Sequence, residues 1–208
     1  MLKNVVFDVG GVLAAFDWQG YLHKLFHDEE TVAAVHDAIW RSNLWNELNK
    51  NVVPEEVVFE RMRDYDYKHR REIIKALTSL DQCVGPLAYA IPWLEELKAA
   101  GYNIYYLSNY SPLLERVSKD ALGFILYTDG GLMSCDIHLV KPDRAIYSAL
   151  CHIYKLNANE CIFIDDNPVN VQAAEAYGMQ GLVFKGYETT HKELAERLGT
   201  GTGPVVAQ

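Results

Sequence analysis

Short runs of apolar residues, each followed by small or polar residues, recur along the chain. Such runs are typical of strands in a parallel sheet whose two faces are both covered. They lie at residues 5–7, 104–107, 124–127, 161–164 and 181–184. Apolar residues at helical spacing occupy the intervals between and after the later runs, at residues 91–99, 112–119, 143–154, 168–177 and 190–198. This alternation predicts an α/β fold, with a parallel sheet and helices on both of its faces.

About 90 residues separate the first two predicted strands, far more than a simple crossover connection needs. This insertion has helical patterns at residues 29–42, with Val32, Val35 and Ile39 on one face, and at residues 54–65, where Pro54 opens the first turn. The pattern predicts a small helical cap over residues 16–85, inserted into a core formed by residues 1–15 and 86–198. Residues 199–208, which are rich in glycine, are predicted to be a flexible tail.

The composition restricts the possible partners and the compartment. The 208 residues contain 28 acidic and 19 basic side chains, a net charge of −9, so nucleic-acid binding through a basic surface is not expected. The four cysteines form no CxxC pair, which favours a reducing, cytoplasmic environment. The apolar runs are too short for a membrane span, and the first is too short for a signal peptide. We therefore expect a cytoplasmic protein without membrane or nucleic-acid partners; the sequence carries no signal for an oligomeric state.

Polar residues follow the predicted strands at the positions where an α/β sheet binds its ligands, the carboxyl ends. Asp8 follows the first strand, Ser108 the second and Asp165 the fourth, with Asp166 directly after it. Lys141 precedes the helical pattern at residues 143–154. Three carboxylates, a hydroxyl and a lysine are thus predicted to meet at one edge of the sheet.

These residues belong to four short segments, Asp8-x-Gly10-Gly11-Val12, Leu107-Ser108-Asn109, Lys141-Pro142-Asp143 and Ile164-Asp165-Asp166-Asn167. Their order and approximate spacing resemble the four motifs of the haloacid dehalogenase-like hydrolase superfamily. The resemblance covers essentially the whole chain and implies a Rossmann-like core. The insertion resembles that of the members with a helical cap, and within them the chain is most similar to bacterial phosphatases of the α-D-glucose-1-phosphate phosphatase type, which share an Asp-x-Gly first motif.

The resemblance implies a Mg²⁺-dependent phosphatase. A phosphate monoester repels nucleophiles, so its hydrolysis needs a positioned nucleophile and positive charge on the transferring group. Asp8 would attack phosphorus and form an aspartyl-phosphate that water then hydrolyses. Asp165 and Asp166, with the Asp8 carboxylate and the Gly10 carbonyl, supply the hard oxygen ligands that Mg²⁺ prefers. The residues leave open which of the adjacent acids contacts the metal, and the resemblance favours Asp166.

Four further residues are assigned to the substrate or to the surroundings of the metal. Lys141 would hold the phosphoryl oxygens and offset the carboxylates. Ser108 can donate a hydrogen bond to phosphate. Asn109 could assist it or could simply cap the following helix. Asn170, one helical turn after Asp166, would orient a carboxylate.

Gly10 departs from the pattern of the family. Phosphatases of this superfamily usually have a second aspartate there, acting as general acid and base, and glycine can do neither. Three explanations are open. Another acid such as Asp17 could reach the site, although Asp17 could equally be a solvated hinge residue. The leaving group could be acidic enough to need little help, as in a sugar 1-phosphate, which leaves as a hemiacetal. The protein could also bind its ligand without turnover.

The function expected from the sequence is hydrolysis of a small phosphorylated metabolite such as a sugar phosphate, with Mg²⁺ as cofactor. A haloacid dehalogenase is one alternative, which also uses a nucleophilic aspartate but no metal. The acidic pair at Asp165 and Asp166 argues against it. A non-catalytic protein that binds a phosphorylated ligand is the other alternative, and only Gly10 favours it.

Overall fold

The computed structural model describes residues 1–199. Its centre is a parallel five-stranded sheet in the order β5-β4-β1-β6-β7, which confirms the predicted α/β fold. Both β1 and β6 are buried along their whole length, as expected for apolar strands covered on two faces. The strands are β1 (Asn4–Phe7), β2 (Ala14–Phe16), β3 (Val84–Pro86), β4 (Asn103–Ser108), β5 (Gly130–Met133), β6 (Cys161–Asp165) and β7 (Gln180–Val183).

Helices cover the sheet on both faces because successive residues of a strand point to opposite sides. Val5 and Phe7 pack into one core cluster, in which the Phe7 ring meets Trp93 edge-on at 4.9 Å between centroids. Val6 packs into the cluster on the other face. The helices of this core are α6 (Ala90–Ala99), α7 (Pro112–Val117), α8 (Ser134–Ile137), α9 (Arg144–Ile153), α10 (Pro168–Tyr177) and α11 (Tyr187–Leu198).

The chain between β2 and β3 is helical and has its own buried cluster, which includes Tyr21, Ile39, Met62 and Ile73. β2 and β3 pair antiparallel and form a two-stranded ribbon at the base of this region. The division into a core of residues 1–15 and 86–198 and a cap of residues 16–85 remains a prediction. The helices of the insertion are α1 (Trp18–Leu25), α2 (Glu29–His36), α3 (Leu44–Lys50), α4 (Glu55–Tyr65) and α5 (Arg70–Thr78), with a π-helical turn at Asp37–Arg41 and a 3₁₀ turn at Leu80–Cys83.

One predicted strand is wrong. Residues 124–127 belong to a 3₁₀ helix, Lys119–Tyr127, and the edge strand is β5, which opens with two glycines. Glycine is a poor strand former, but a Cβ at Gly131 would lie 2.3 Å from the Tyr106 ring. The Tyr154 hydroxyl also pairs with the backbone N–H and C=O of Gly131, both at 2.9 Å. Tyrosine rings thus fill the space that side chains of β5 would occupy.

Further differences concern the insertion and the tail. The sequence did not predict α1, α3 and α5, and the helix expected over residues 29–42 changes to a π-helical turn after His36. The tail predicted at residues 199–208 lies outside the described residues except for Gly199. Within residues 1–199, no helix combines the length and apolar character that crossing a membrane requires.

Candidate active site

The predicted polar residues meet at the carboxyl edge of the sheet. Asp8 directly follows β1, Ser108 ends β4 and Asp165 ends β6. These three strands are neighbours, with Phe7 in register with both Tyr106 and Ile164. Because parallel strands place their carboxyl ends at one edge, the three side chains arrive at the same level from separate parts of the sequence.

Asp8 is buried, with 8% of its surface exposed, and its contacts are one-sided. The Val9 N–H donates to Oδ1 at 2.7 Å and the Ser108 hydroxyl donates to the same oxygen at 2.9 Å. The Lys141 ammonium lies 2.7 Å from Oδ1 as well. Oδ2 receives none of these donors, so the carboxylate is held by one oxygen while the other is left for chemistry.

Lys141 joins two carboxylates. Its Nζ lies 2.7 Å from Asp8 Oδ1 and 2.7 Å from Asp165 Oδ2, and only 1% of its side chain is exposed. Burial acts to lower the pKa of Lys141, but the two carboxylates outweigh it and hold this pKa above its usual value. For the Asp8 carboxyl group burial has the opposite sign: it raises the pKa to about 7, although the Lys141 charge acts to lower it. The ammonium is therefore a fixed positive charge among acids that would otherwise repel one another.

The adjacent acids Asp165 and Asp166 have different environments. Asp165 is fully buried and accepts hydrogen bonds from Lys141 Nζ, from the Asn167 N–H at 2.8 Å and from Asn170 Nδ2 at 3.1 Å. Asp166 is exposed, and desolvation followed by the Asp165 charge raises its pKa. We call the network of Asp8, Ser108, Lys141, Asp165 and Asn170 the floor of the site.

The donor set fits a hard divalent cation. Asp8, Asp165 and Asp166 each offer a carboxylate oxygen, and these oxygens lie within 4.8 Å of one another. Oxygen ligands from carboxylates and carbonyls are those that Mg²⁺ prefers. Gly11, with φ of +79°, allows the close approach, because a Cβ there would lie 2.7 Å from Asp166 Oδ2.

Asn109 has a contact that the sequence did not suggest. Its Nδ2 donates to the Lys141 carbonyl at 3.0 Å and its Oδ1 accepts from the Lys141 N–H at 2.7 Å. The amide therefore clamps the backbone of Lys141, 32 residues away. The cap of the following helix is Ser111, whose hydroxyl accepts from the Leu114 N–H.

Asp17 does not lie with the other predicted residues. It is exposed and caps α1, where its Oδ1 accepts from the Gly20 N–H at 2.8 Å. Gly10, by contrast, borders the site. A Cβ added to Gly10 would be 3.7 Å from Phe16 Cβ, an ordinary contact. The backbone at the position where the acid is missing thus accepts a Cβ without a clash.

A cleft of about 270 Å³ lies above the floor. Its opposite wall, which we call the roof, consists of Phe16, Trp45, Asn46 and Asn49. Tyr110 and Leu114 also line the cleft. The sequence patterns do not assign these residues to the site. Trp45 and Asn49 lie one helical turn apart, but this spacing is informative only once α3 is known to be a helix.

Comparisons with known proteins agree with this fold. The haloacid dehalogenase-like hydrolase family model matches residues 2–178. Sesquiterpene phosphatase astK of Aspergillus oryzae is 27% identical over 200 residues, covering 95% of this chain and 97% of that protein. Flavin mononucleotide hydrolase 1 of Arabidopsis thaliana is 28% identical over 157 residues, covering 74% of this chain but only 61% of that protein's length.

Solved structures share the whole architecture. A HAD family enzyme from Bacteroides thetaiotaomicron superposes with a TM-score of 0.72 at 21% identity, covering 92% of this chain and 98% of the other. A predicted HAD-like family hydrolase from Porphyromonas gingivalis gives a TM-score of 0.72 at 21% identity, covering 95% and 98%. At these identities the agreement is one of fold.

Proposed function

The chain belongs to the haloacid dehalogenase-like hydrolase family, and within it we propose a Mg²⁺-dependent phosphatase that hydrolyses a small phosphorylated metabolite. The observation that carries this proposal is the buried Lys141 ammonium, 2.7 Å from both Asp8 and Asp165, beneath an open cleft. Relatives named as phosphatases, such as the Aspergillus oryzae protein, support it. We also propose that residues 16–85 form the cap and that residues 1–15 and 86–198 form the core.

Asp8 is the proposed nucleophile. Its Oδ1 is occupied by Val9, Ser108 and Lys141, which leaves Oδ2 to form the bond to phosphorus. The bond from phosphorus to the substrate oxygen breaks, and the leaving group departs with that electron pair. Water then attacks the aspartyl-phosphate and releases inorganic phosphate and the free carboxylate. Lys141 and Ser108 lie where they can also bind phosphoryl oxygens.

Mg²⁺ fits the acidic cluster, and Asp8, Asp166 and the Gly10 carbonyl are its proposed ligands. Asp165 already accepts from Lys141, Asn167 and Asn170, so its proposed role is to position Lys141. A bound Mg²⁺ would offset the charge of the phosphate and polarise its oxygens. The structural relative from Bacteroides thetaiotaomicron crystallised in complex with magnesium and inorganic phosphate, which supports this assignment.

Gly10 restricts the proposed substrate. No carboxylate stands at this position and Asp17 is a helix cap, so the leaving group is expected to depart with little protonation. A sugar 1-phosphate meets this condition because it leaves as a hemiacetal, which is more acidic than an ordinary alcohol. This is the reason for proposing a substrate of the glucose 1-phosphate type. The four cysteines are unpaired and buried, which suits the proposed cytoplasmic location.

A dehalogenase is the second candidate, because a halide leaving group needs no acid and Gly10 supplies none. A relative named (S)-2-haloacid dehalogenase 4A, from Burkholderia cepacia, is 28% identical over 117 residues. The exposed Asp166 beside Asp8 argues against this candidate, since a reaction of an anionic substrate without a cation gains nothing from an added negative charge.

The test is phosphate release with and without Mg²⁺ from p-nitrophenyl phosphate, sugar 1-phosphates and sugar 6-phosphates, with chloride release from a 2-chloro acid measured in parallel. We expect Mg²⁺-dependent turnover that favours the aryl ester and the 1-phosphates, and none in Asp8→Asn. The Gly10→Asp variant, whose Cβ would meet only ordinary contacts, should extend the range to 6-phosphates. Halide release without phosphate release would select the dehalogenase, and turnover by Asp8→Asn would disprove the nucleophile.

A further inference from the structure

Two of the four cysteines lie together beneath an exposed loop. Cys151 is near the end of α9 and Cys161 opens β6, and their thiols form a hydrogen bond with one another. Cys161 is fully buried, whereas Cys151 keeps 7% of its surface. Each of the residues 152–160 between them is exposed or half-buried. Only this short segment of chain therefore separates the pair from solvent.

The turn after α9 brings the two sulfurs together. Lys155 has a left-handed conformation with φ of +55°. The Leu156 N–H donates to the Cys151 carbonyl at 2.8 Å, as in a common C-terminal cap of helices. The chain reverses there, and the Cys161 sulfur lies 3.3 Å from the Asn157 carbonyl oxygen. The start of β6 is thus held beside the end of α9 by backbone contacts of the loop.

The two thiols differ in acidity. As a thiolate, Cys151 accepts hydrogen bonds from the Cys161 thiol and from the Tyr177 hydroxyl, which hold its pKa below the usual value although burial acts to raise it. The interaction with Cys151, together with burial, raises the pKa of Cys161. Thiolate character and a neighbouring thiol are typical of cysteines that peroxide oxidises reversibly. Cys151 is therefore the nucleophile of the pair, and Cys161 is the thiol that can resolve it.

The other two cysteines provide a comparison within the same chain. Cys83 and Cys135 are also buried, with 2% and 3% of their surfaces exposed. Burial is the largest of the causes that raise the pKa of each thiol to about 12. Each stays protonated at neutral pH, and a protonated thiol is a poor nucleophile. Burial alone therefore does not produce the acidity of Cys151.

The pair lies at the end of the sheet opposite the candidate active site. Cys161 and Asp165 are the first and last residues of β6, about 13 Å apart along an extended strand. Cys161 is in register with Asn4 at the start of β1, whereas Asp8 follows the end of that strand. Chemistry at the pair therefore involves no residue of the floor and does not rest on the phosphatase function.

We propose that Cys151 and Cys161 form a reversible disulfide when the protein meets hydrogen peroxide. The Cys151 sulfur attacks a peroxide oxygen, the O–O bond breaks, and the departing hydroxide takes up the proton that Cys151 has lost. The Cys161 sulfur then attacks the sulfur of this sulfenic acid, the S–O bond breaks, and the second hydroxide takes up the Cys161 proton. Two thiols and one peroxide thus give one disulfide and two waters, and two electrons pass from sulfur to peroxide. Exchange with a thiol reductant restores both cysteines.

The test is a peptide map of the native protein after treatment with hydrogen peroxide. Catalase ends the reaction, N-ethylmaleimide in denaturant blocks the remaining thiols, and tryptic peptides are analysed by mass spectrometry without reduction. Trypsin cleaves after Arg144, Lys155 and Lys185, so the disulfide links residues 145–155 to residues 156–185. We expect this linked pair, its loss on treatment with dithiothreitol, and N-ethylmaleimide on Cys83 and Cys135.

Two variants separate the two steps. In Cys161→Ser the second step is blocked, so Cys151 should remain a sulfenic acid that dimedone labels. In Cys151→Ser the remaining Cys161 should stay reduced. Cys135→Ser is the matched control, because it removes a buried thiol outside the pair, and it should give the linked peptides as the wild type does.

Two results would overturn the proposal. N-ethylmaleimide on both Cys151 and Cys161 after peroxide treatment of the native wild-type protein would show that the pair does not close, whether or not either variant folds. Equal dimedone labelling of Cys83 and Cys151 in Cys161→Ser would show that the neighbouring groups give Cys151 no special reactivity. Phosphate release is measured separately and decides neither result.

Discussion

The floor of the cleft consists of buried charges that hydrogen-bond to one another, whereas the roof consists of uncharged side chains, one of them with an unused amide oxygen. The floor is carried by neighbouring strands of the sheet and the roof mainly by α3 of the insertion. Charged groups are costly to bury unless their partners are fixed, so they occur where the backbone is most constrained. Uncharged side chains do not carry this cost, so they can occupy a peripheral helix such as α3.

The largest test of this contrast is removal of the central charge. Lys141→Ala leaves Asp8 and Asp165 buried without a counter-ion, and we expect the free energy of unfolding to fall by about 3–5 kcal/mol, with loss of turnover. Denaturant unfolding measures the change. Lys98→Ala, which breaks a partly exposed ion pair with Asp129 at 2.9 Å, is the control and should cost about 1 kcal/mol or less. Similar losses in the two variants would contradict the difference between buried and exposed pairs.

A smaller effect is expected at Asn109, whose side-chain amide makes two hydrogen bonds to the backbone of Lys141. Asn109→Ala leaves the Lys141 N–H and C=O without their partners, at a cost of about 1–3 kcal/mol. We also expect kcat to fall more than KM rises, because the ammonium loses its position. Asn157→Ala removes an exposed amide and should change neither quantity. Unaltered kcat in Asn109→Ala would show that Lys141 is positioned by other contacts.

The smallest predicted effect is a pH dependence of Mg²⁺ affinity that arises from the floor and not from the roof. In the metal-free protein burial raises the pKa of Asp8 to about 7, so Mg²⁺ must displace a proton below that pH. Its apparent affinity should fall about fivefold between pH 7 and pH 6, approach about tenfold per pH unit below pH 6, and level off above about pH 8. Calorimetric titration in buffers of different ionisation enthalpy measures the proton released. A Mg²⁺ affinity that stays constant across this range would contradict the raised pKa of Asp8. The amide and indole side chains of the roof do not titrate in this pH range, so they do not contribute to the change.

The floor could be predicted from the sequence because its signals are local. Buried apolar runs identify β1, β4 and β6, and polar residues directly after them stand out. The clamp of Asn109 on Lys141 could not be predicted, because it joins positions 32 residues apart that only the fold brings together. The four apolar residues at 124–127 suit a strand or a short helix equally, and their contacts decide the outcome.

The roof escaped prediction for a different reason. α3 has only seven residues, and isolated helices of this length are unstable. Its place is set by contacts with Ser134 and His138, which lie more than 80 residues away in the sequence. Gly10 shows the opposite case: the sequence identified the missing acid, and the structure added that a Cβ at this position would make only ordinary contacts.

The ribbon of β2 and β3 has a consequence for how such a protein can change over time. Ala14 pairs with Pro86 and Phe16 with Val84, so the chain leaves and re-enters the sheet domain at points about 5 Å apart. The chain between Phe16 and Val84 is therefore one long loop of that domain, and the pairing of β2 with β3 holds its ends together. Lengthening a loop whose ends are held together costs little conformational entropy. Whole helices could therefore be gained, lost or exchanged in this region without disturbing the strands that hold Asp8 and Asp165, so new substrates can evolve around an unchanged reaction.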